Sequence, residues 1–304
     1  MITLAVIVAI FVATNLYIQR RGQVRHRLAR QFADHSAFMA PVNCLFYLFS
    51  AVPNRPYLDP SAFDGLRRLD ADWEAIRDEG RKIFSEVLPE PLHPKYDLAF
   101  YSFMKNGWNR FYLKWYGDMM PSALEHCPHT VKLLQSMPEI RGAMFTLLPP
   151  GGKLPLHRDP YAGSLRYHLG LVTPNDDACR ILVDGEPYSW RDGQSVLFDE
   201  TYIHTAENKT DTARIILFAD VKRPLTFKPI EAFAYLVERI FVRATTSVND
   251  PTKESRGVLN LIFPPIFYYR RVMRRFKAWN KDLYYAHKYI GLAAIAGLVV
   301  WAVA

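Results

Sequence analysis

The hydrophobic pattern of the chain changes period several times. Residues 1–19, MITLAVIVAIFVATNLYIQ, carry no charge and stop at Arg20–Arg21. A spanning helix needs about 20 apolar residues, so this run is expected to be a helical anchor. A second run, YIGLAAIAGLVVWAVA over 289–304, is slightly short for a span and is expected to insert in the membrane; a buried core helix is the alternative. Between them, Leu66, Leu69, Trp73, Ile76, Ile83, Phe84 and Val87 keep to one helical face across Ser61 to Pro89. From about Asp97 to Val221 the runs shorten: GAMFTLL, LRYHLGLV, CRILV, EPYSW, QSVLFD and ARIILFAD are each of strand length, bounded by Pro, Gly, Asp or Asn. Asp184–Gly185 stands between two of them, a two-residue hairpin signal. No ten-residue helical pattern intervenes, so the strands should be antiparallel, in a sandwich or barrel.

After Pro224 helices return. Phe233, Leu236, Val237, Ile240 and Phe241 form an amphipathic face, and VLNLIFPPIFYYRRVMRRFK reads as an element lying in a membrane interface, with a buried connecting helix as the alternative. The expected organisation is an N-terminal transmembrane anchor (1–19), a basic juxtamembrane and connecting segment (20–60), a β domain with N-terminal helices (61–225), membrane-interface helices (226–288) and a C-terminal apolar segment (289–304).

Charge refines this picture. The formal net charge is +8, but five Arg between Arg20 and Arg30 and six Lys or Arg between Arg270 and Lys281 account for it. Outside those two clusters 27 basic residues stand against 30 acidic ones. Basic character is therefore local, beside the apolar termini, and nucleic acid is not an expected partner. A signal peptide carries its basic residues before the apolar run; here they follow it, which favours an uncleaved anchor with the intervening chain on the cytoplasmic side. Cys44, Cys127 and Cys179 are too few and too scattered for a disulfide framework. His126-Cys127-Pro128-His129 lacks the second Cys/His pair that a zinc site needs.

The candidate chemistry lies in KLPLHRDPYAGSLRYHLGLV. A kinase catalytic loop would place an Asn five residues after Asp159, where Ser164 stands, so the His-Arg-Asp triplet is not of that kind. A metal site fits better. His157 and Asp159, two apart on an extended segment, project to the same side. Non-haem iron oxygenases use two His and one carboxylate on one face of the ion. His204, 45 residues beyond Asp159, follows an apolar strand, and Arg214, ten further on, could bind a distal carboxylate bidentately.

These residues carry a wider resemblance. HCPHTVKLLQSMPEIRGAMFTLLPPGGKLPLHRD, LRYHLGLVTP and YSWRDGQSVLFDETYIHTAENKTDTARIILFADVKRP resemble, in order, the aspartyl/asparaginyl β-hydroxylase family, and the whole chain is most similar to its branch of bacterial lipid A hydroxylases. The resemblance implies a double-stranded β-helix (jelly-roll, cupin-like), mainly β, with flanking helices and apolar membrane segments at both termini. It implies a dioxygenase using Fe(II), 2-oxoglutarate and O2, with His157, Asp159 and His204 as iron ligands. Arg214 would hold the distal carboxylate of 2-oxoglutarate, assisted by Thr146, and Arg166 and His168 would lie near its metal-proximal carboxylate. The implied reaction is hydroxylation at C2 of a secondary acyl chain of lipid A. A peptidyl aspartyl/asparaginyl β-hydroxylase and a membrane-anchored cupin-like binder without turnover are the alternatives. Plainer readings stand beside the site residues: His168 as a satisfied sheet histidine, Asp159 as a turn former before Pro160, and Trp108, Phe111, Tyr112 and Trp115 as sheet packing.

Overall fold

The structure, a computed structural model, describes residues 2–88, 97–250, 252–288 and 290–291. Its strands are β1 (Tyr57–Leu58), β2 (Asn109–Trp115), β3 (Ile140–Leu148), β4 (Ser164–Val172), β5 (Cys179–Val183), β6 (Glu186–Ser189), β7 (Ser195–Phe198), β8 (His204–Asn208) and β9 (Arg214–Lys222). All pairings are antiparallel and build two sheets, β1-β7-β4-β9-β3-β2 and β6-β5-β8. Side chains from both sheets line one cavity: Thr146, His168, Arg214 and Phe218 from the larger, Ile181, His204 and Ala206 from the smaller. This is the antiparallel sandwich expected from the strand pattern, and the jelly-roll that the family resemblance implied.

Local chemistry explains the pairings. Asp184 and Gly185, at φ 53° and 90°, close β5 onto β6, as a two-residue turn with two left-handed positions requires. β3, β4 and β9 are almost wholly buried on both faces: helices cover the outside of the larger sheet, while Thr146, Arg166, His168, Arg214 and Asp220 are buried polar residues on these same strands. The expected helix over Ser61–Pro89 appears as α4 (Leu66–Ala71) and α5 (Trp73–Lys82), continued by a π-turn to Val87; Leu66, Leu69, Ile76 and Ile83 are fully buried. Gly80 lets α5 lie close on the sheet, since a Cβ there would meet Leu171 and Phe145 at 3.2 Å.

The N-terminal third is part of the same body. α1 (Ile2–Arg21) is long and apolar enough to cross a membrane, and little of it is buried in the protein. Beyond it, α2 (Leu28–Ala33) and α3 (Ala40–Leu48) pack it onto the core. Arg21, in sequence a juxtamembrane basic residue, instead ion-pairs with Asp199 and donates to Thr201 Oγ1 at 2.8 Å, between the rings of Tyr47 and Tyr202. Arg223 reaches the same Asp199 carboxylate at 2.8 Å.

Further on come α6 (Tyr101–Met104), α7 (Pro121–His126) and α8 (Pro128–Gln135). Cys127 is the buried joint between the last two. Of the sheet-packing candidates, Phe111, Tyr112 and Trp115 are buried in the core, and Trp108 also lines the cavity. α9 (Lys228–Val237) buries Val237 and leaves Leu236, Ile240 and Phe241 exposed there and in the turns that follow. α10 (Val258–Trp279) is one continuous 22-residue helix with Pro264 and Pro265 inside it. The apolar C-terminal segment, residues 290 and 291 apart, lies outside the described residues.

Candidate metal centre and cosubstrate cavity

His157 sits on an extended segment that adds to the smaller sheet. Its N–H donates to the His204 carbonyl at 3.0 Å and the His204 N–H donates back at 2.7 Å. This backbone pairing sets the two imidazoles 4.2 Å apart, centre to centre. Two residues on, the Asp159 N–H donates to the Glu200 carbonyl at 2.9 Å, turning its carboxylate toward the same point. One ligand atom from each of His157, Asp159 and His204 lies within 4.8 Å of the others, the sole such group of three or more among the described residues.

The tautomers suit a metal. His157 Nδ1 lies 2.7 Å from the Pro155 carbonyl and His204 Nδ1 2.9 Å from the Tyr202 carbonyl. A carbonyl only accepts, so each Nδ1 carries the proton and each Nε2 presents a lone pair. Burial keeps both rings neutral, lowering His157 and taking His204 down to about 3. Burial alone would raise the Asp159 carboxyl, but Arg166 foremost, then His157 and His204, hold it well below the usual carboxylate range. Two neutral imidazoles and one carboxylate on one side of a cavity are the donor set of a non-haem Fe(II) site, and the residues fit that group.

The rest of the cavity is polar in a specific way. Arg214 opens β9 fully buried, its guanidinium 4.3 Å over the Trp190 ring. Its Nη2 donates to Thr146 Oγ1 at 3.3 Å, its Nε has no partner, and among the described residues no carboxylate pairs with it. Burial lowers its pKa from 12.5 to about 10. A buried cation left unpaired is costly, so this one calls for an anionic ligand. His168, expected beside the cosubstrate, is buried on β4 with neither ring nitrogen bonded. It is enclosed by Phe198, Phe218 and Trp190, and burial, then Arg166 and Arg214, push its pKa far down. The satisfied-histidine reading fails here: a neutral imidazole with an idle donor and an idle acceptor faces the cavity.

Arg166 has different partners from those expected. Its guanidinium bonds Asp159 Oδ2 at 2.9 Å and Asp220 Oδ1 at 2.7 Å, and it ion-pairs with Glu200. Three buried carboxylates thus converge on one cation, and it clamps the Asp159 carboxylate rather than pointing at a free anion. Tyr116 donates to Asp220 Oδ2 at 2.9 Å and Ser164 to Glu200 Oε1 at 2.7 Å. With negative charge in excess, burial raises Glu200 well above its ordinary value and raises Asp220 as well. Glu200 and Asp220 are absent from the sequence-derived set. Their signal was acids at the ends of apolar strands in LFDE and LFAD, positions where a lone acid usually meets solvent. Phe103 of α6 was also missed; its ring lies 4.6 Å from that of His157.

Residues 70–224 match the aspartyl/asparaginyl β-hydroxylase family profile. The ornithine lipid ester-linked acyl 2-hydroxylase of Rhizobium tropici is 34% identical over 180 residues, 58% of this chain and 64% of that protein. Human aspartyl/asparaginyl β-hydroxylase is 29% identical over 168 residues, 52% of this chain and 21% of that protein. The chain therefore spans less than two thirds of the length of either relative. A prolyl-4-hydroxylase from Pseudomonas putida aligns over 61% of this chain and 99% of its own at 15% identity, with a TM-score of 0.34. On the match over 70–224, which takes in every residue of the triad and the cavity cation, the chain belongs to the aspartyl/asparaginyl β-hydroxylase family.

Proposed function

We propose that the protein is an Fe(II)- and 2-oxoglutarate-dependent dioxygenase that hydroxylates C2 of a secondary acyl chain of lipid A at the cytoplasmic face of a bacterial inner membrane. The observation that carries the cosubstrate is the unpaired buried guanidinium of Arg214, across one cavity from the His157–Asp159–His204 group. What supports an acyl chain is the similarity to an acyl 2-hydroxylase together with the apolar α1.

Iron would be held by His157 Nε2, His204 Nε2 and one Asp159 oxygen, and would supply the oxidising power that no side chain has. The protein's own part is binding and geometry. Arg214 and Thr146 would receive the distal carboxylate of 2-oxoglutarate in two parallel hydrogen bonds and a hydroxyl contact. His168, neutral and unpartnered, would give its N–H to an oxygen near the metal end of the same molecule. Arg166 holds one Asp159 oxygen and so leaves the other for the ion. Trp108, Phe198, Phe218 and Ile216 line the cavity with apolar surface, which excludes water and strengthens each charged contact.

The test is mass spectrometry of lipid A from cells expressing the chain or its His157→Ala variant. The reading expects the mass of one added oxygen on an acyl chain, absent with the variant. An unmodified lipid A alongside hydroxylated Asp or Asn in membrane peptides would overturn it in favour of the peptide substrate of the human relative's name.

A further inference from the structure

On the surface beside the metal centre, α10 and the helical residues 281–288 enclose a groove of about 450 Å3 against α6. Its walls carry Lys105, Arg270, Arg274, Lys277, His287 and Lys288 and no carboxylate. Among the described residues no ion pair is formed by any of these lysines or arginines. Lys105 stands 3.9 Å over the Tyr101 ring, Lys277 stands 5.0 Å from the Tyr285 ring, and Lys105 and Arg274 both reach toward the Tyr101 hydroxyl. Like charges brought together without counter-charge repel one another, and an anion bound among them relieves that repulsion.

Two features relate the groove to a bilayer surface and to the His157–Asp159–His204 group. Residues Val258, Leu261, Ile262, Ile266, Tyr269, Val272 and Trp279 are exposed along one side of α10, at the three- and four-residue spacing of an interfacial helix. The opposite side is fixed to the body: Asn260 accepts from the Leu98 N–H at 2.7 Å, and Phe263 and Phe267 pack on Tyr101. A helix so held, with its apolar stripe in a bilayer, puts its cations at headgroup depth. Tyr101 of the groove and Phe103 beside His157 are two residues apart on α6.

We infer that this groove binds a phosphate monoester, that of a membrane lipid's headgroup, and so seats the lipid whose acyl chain enters the cavity. The inference rests on the membrane-lipid reading of the substrate. It adds that recognition is of phosphate and makes an anionic phospholipid or glycolipid the fitting class. Several cations supply the charge, and the tyrosine hydroxyl donates to a phosphate oxygen.

The full chain in detergent micelles is titrated with short-chain phosphatidic acid, with phosphatidylcholine of the same chain length, and with inorganic phosphate. The expected result is saturable binding of phosphatidic acid, none of phosphatidylcholine, and a loss of about thirtyfold in Arg270→Gln/Arg274→Gln, at roughly fivefold per cation removed. The surface variant Arg67→Gln should bind as the parent does, and thermal unfolding of each variant confirms that it is folded. Inorganic phosphate competing at equal concentration would assign the groove to the free ion; failure to compete assigns it to the lipid. Equal binding by the parent and a folded double variant overturns the proposal. Succinate release from 2-oxoglutarate, followed on the same preparations, reports the oxygenase reading separately: phosphatidic acid binding without succinate keeps the groove and removes the oxygenase.

Discussion

Arg214→Met inverts the usual expectation for a functional residue, because the protein without ligand should become more stable. Arg214 is buried without a counter-ion, and burial takes its pKa from 12.5 to about 10. At roughly 1.4 kcal/mol per pKa unit, the charged form costs the fold about 3 kcal/mol. The sign follows from the direction of the shift. A cation with a lowered folded-state pKa destabilises fully at every pH below that value, and the penalty fades only as pH climbs from about 10 toward 12.5. It is therefore complete at neutral pH. Methionine fills similar volume without charge, while loss of the guanidinium–Trp190 contact gives back about 1 kcal/mol. The net gain is about 2 kcal/mol, or roughly 4–8 °C in unfolding midpoint for a domain of this size. With Mn(II) and 2-oxoglutarate at a hundred times its dissociation constant, the parent gains about 2.7 kcal/mol, and the variant should gain little. Differential scanning fluorimetry of both proteins, with and without 2-oxoglutarate, reads all four states. A variant that melts lower than the parent without ligand, or rises as far as the parent with it, refutes the reasoning.

Other perturbations separate the remaining parts of the site. His204→Ala should weaken Mn(II) binding by at least about a hundredfold, since loss of even an outer-sphere partner costs ten- to a hundredfold; titration followed by electron paramagnetic resonance measures it. Arg166→Leu leaves Asp159, Glu200 and Asp220 facing one another and should cost about 3–5 kcal/mol in chemical denaturation. Burial would raise the Asp199 carboxyl, but Arg223 and Arg21 hold it well below 3.8. Its stabilising contribution is thus present above about pH 4 and lost as pH falls further. Asp199→Asn should lower the midpoint at neutral pH and flatten its acid dependence, as thermal scans from pH 7 down to 3 would show. At Gly170 a Cβ would overlap the Arg191 carbonyl, so Gly170→Ala should destabilise by about 1–3 kcal/mol.

Local rules made much of this molecule legible. The strands announced themselves by length and punctuation, the β5–β6 turn by its Asp-Gly pair, and the His-x-Asp, His and Arg set by order and spacing. Hidden features were those in which partners meet only after the sheets close. Nothing near Arg166 in sequence tells that Asp220, 54 residues away, will be hydrogen-bonded to it. Arg21 looks like any basic residue at the end of an apolar run until Asp199 is brought to it by β7. His168 was ambiguous because a mid-strand histidine reads alike whether its nitrogens are bonded or idle; the three aromatic rings around it decide the matter. α10 was legible as one element but not its extent: Pro264 and Pro265 lie inside a single 22-residue helix.

The joint between α1 and the core has a mechanical consequence. Arg21, the final residue of α1, is locked between two tyrosine rings and Asp199, and Gln23 and Val24 donate to the Asp184 carboxylate at 2.9 and 2.8 Å. Nothing here works as a swivel. In any bilayer that α1 crosses, the metal centre would ride at a fixed altitude above the hydrocarbon, like a tool on a short rigid post. On the proposed lipid reading, reach along an acyl chain would then be set by that height.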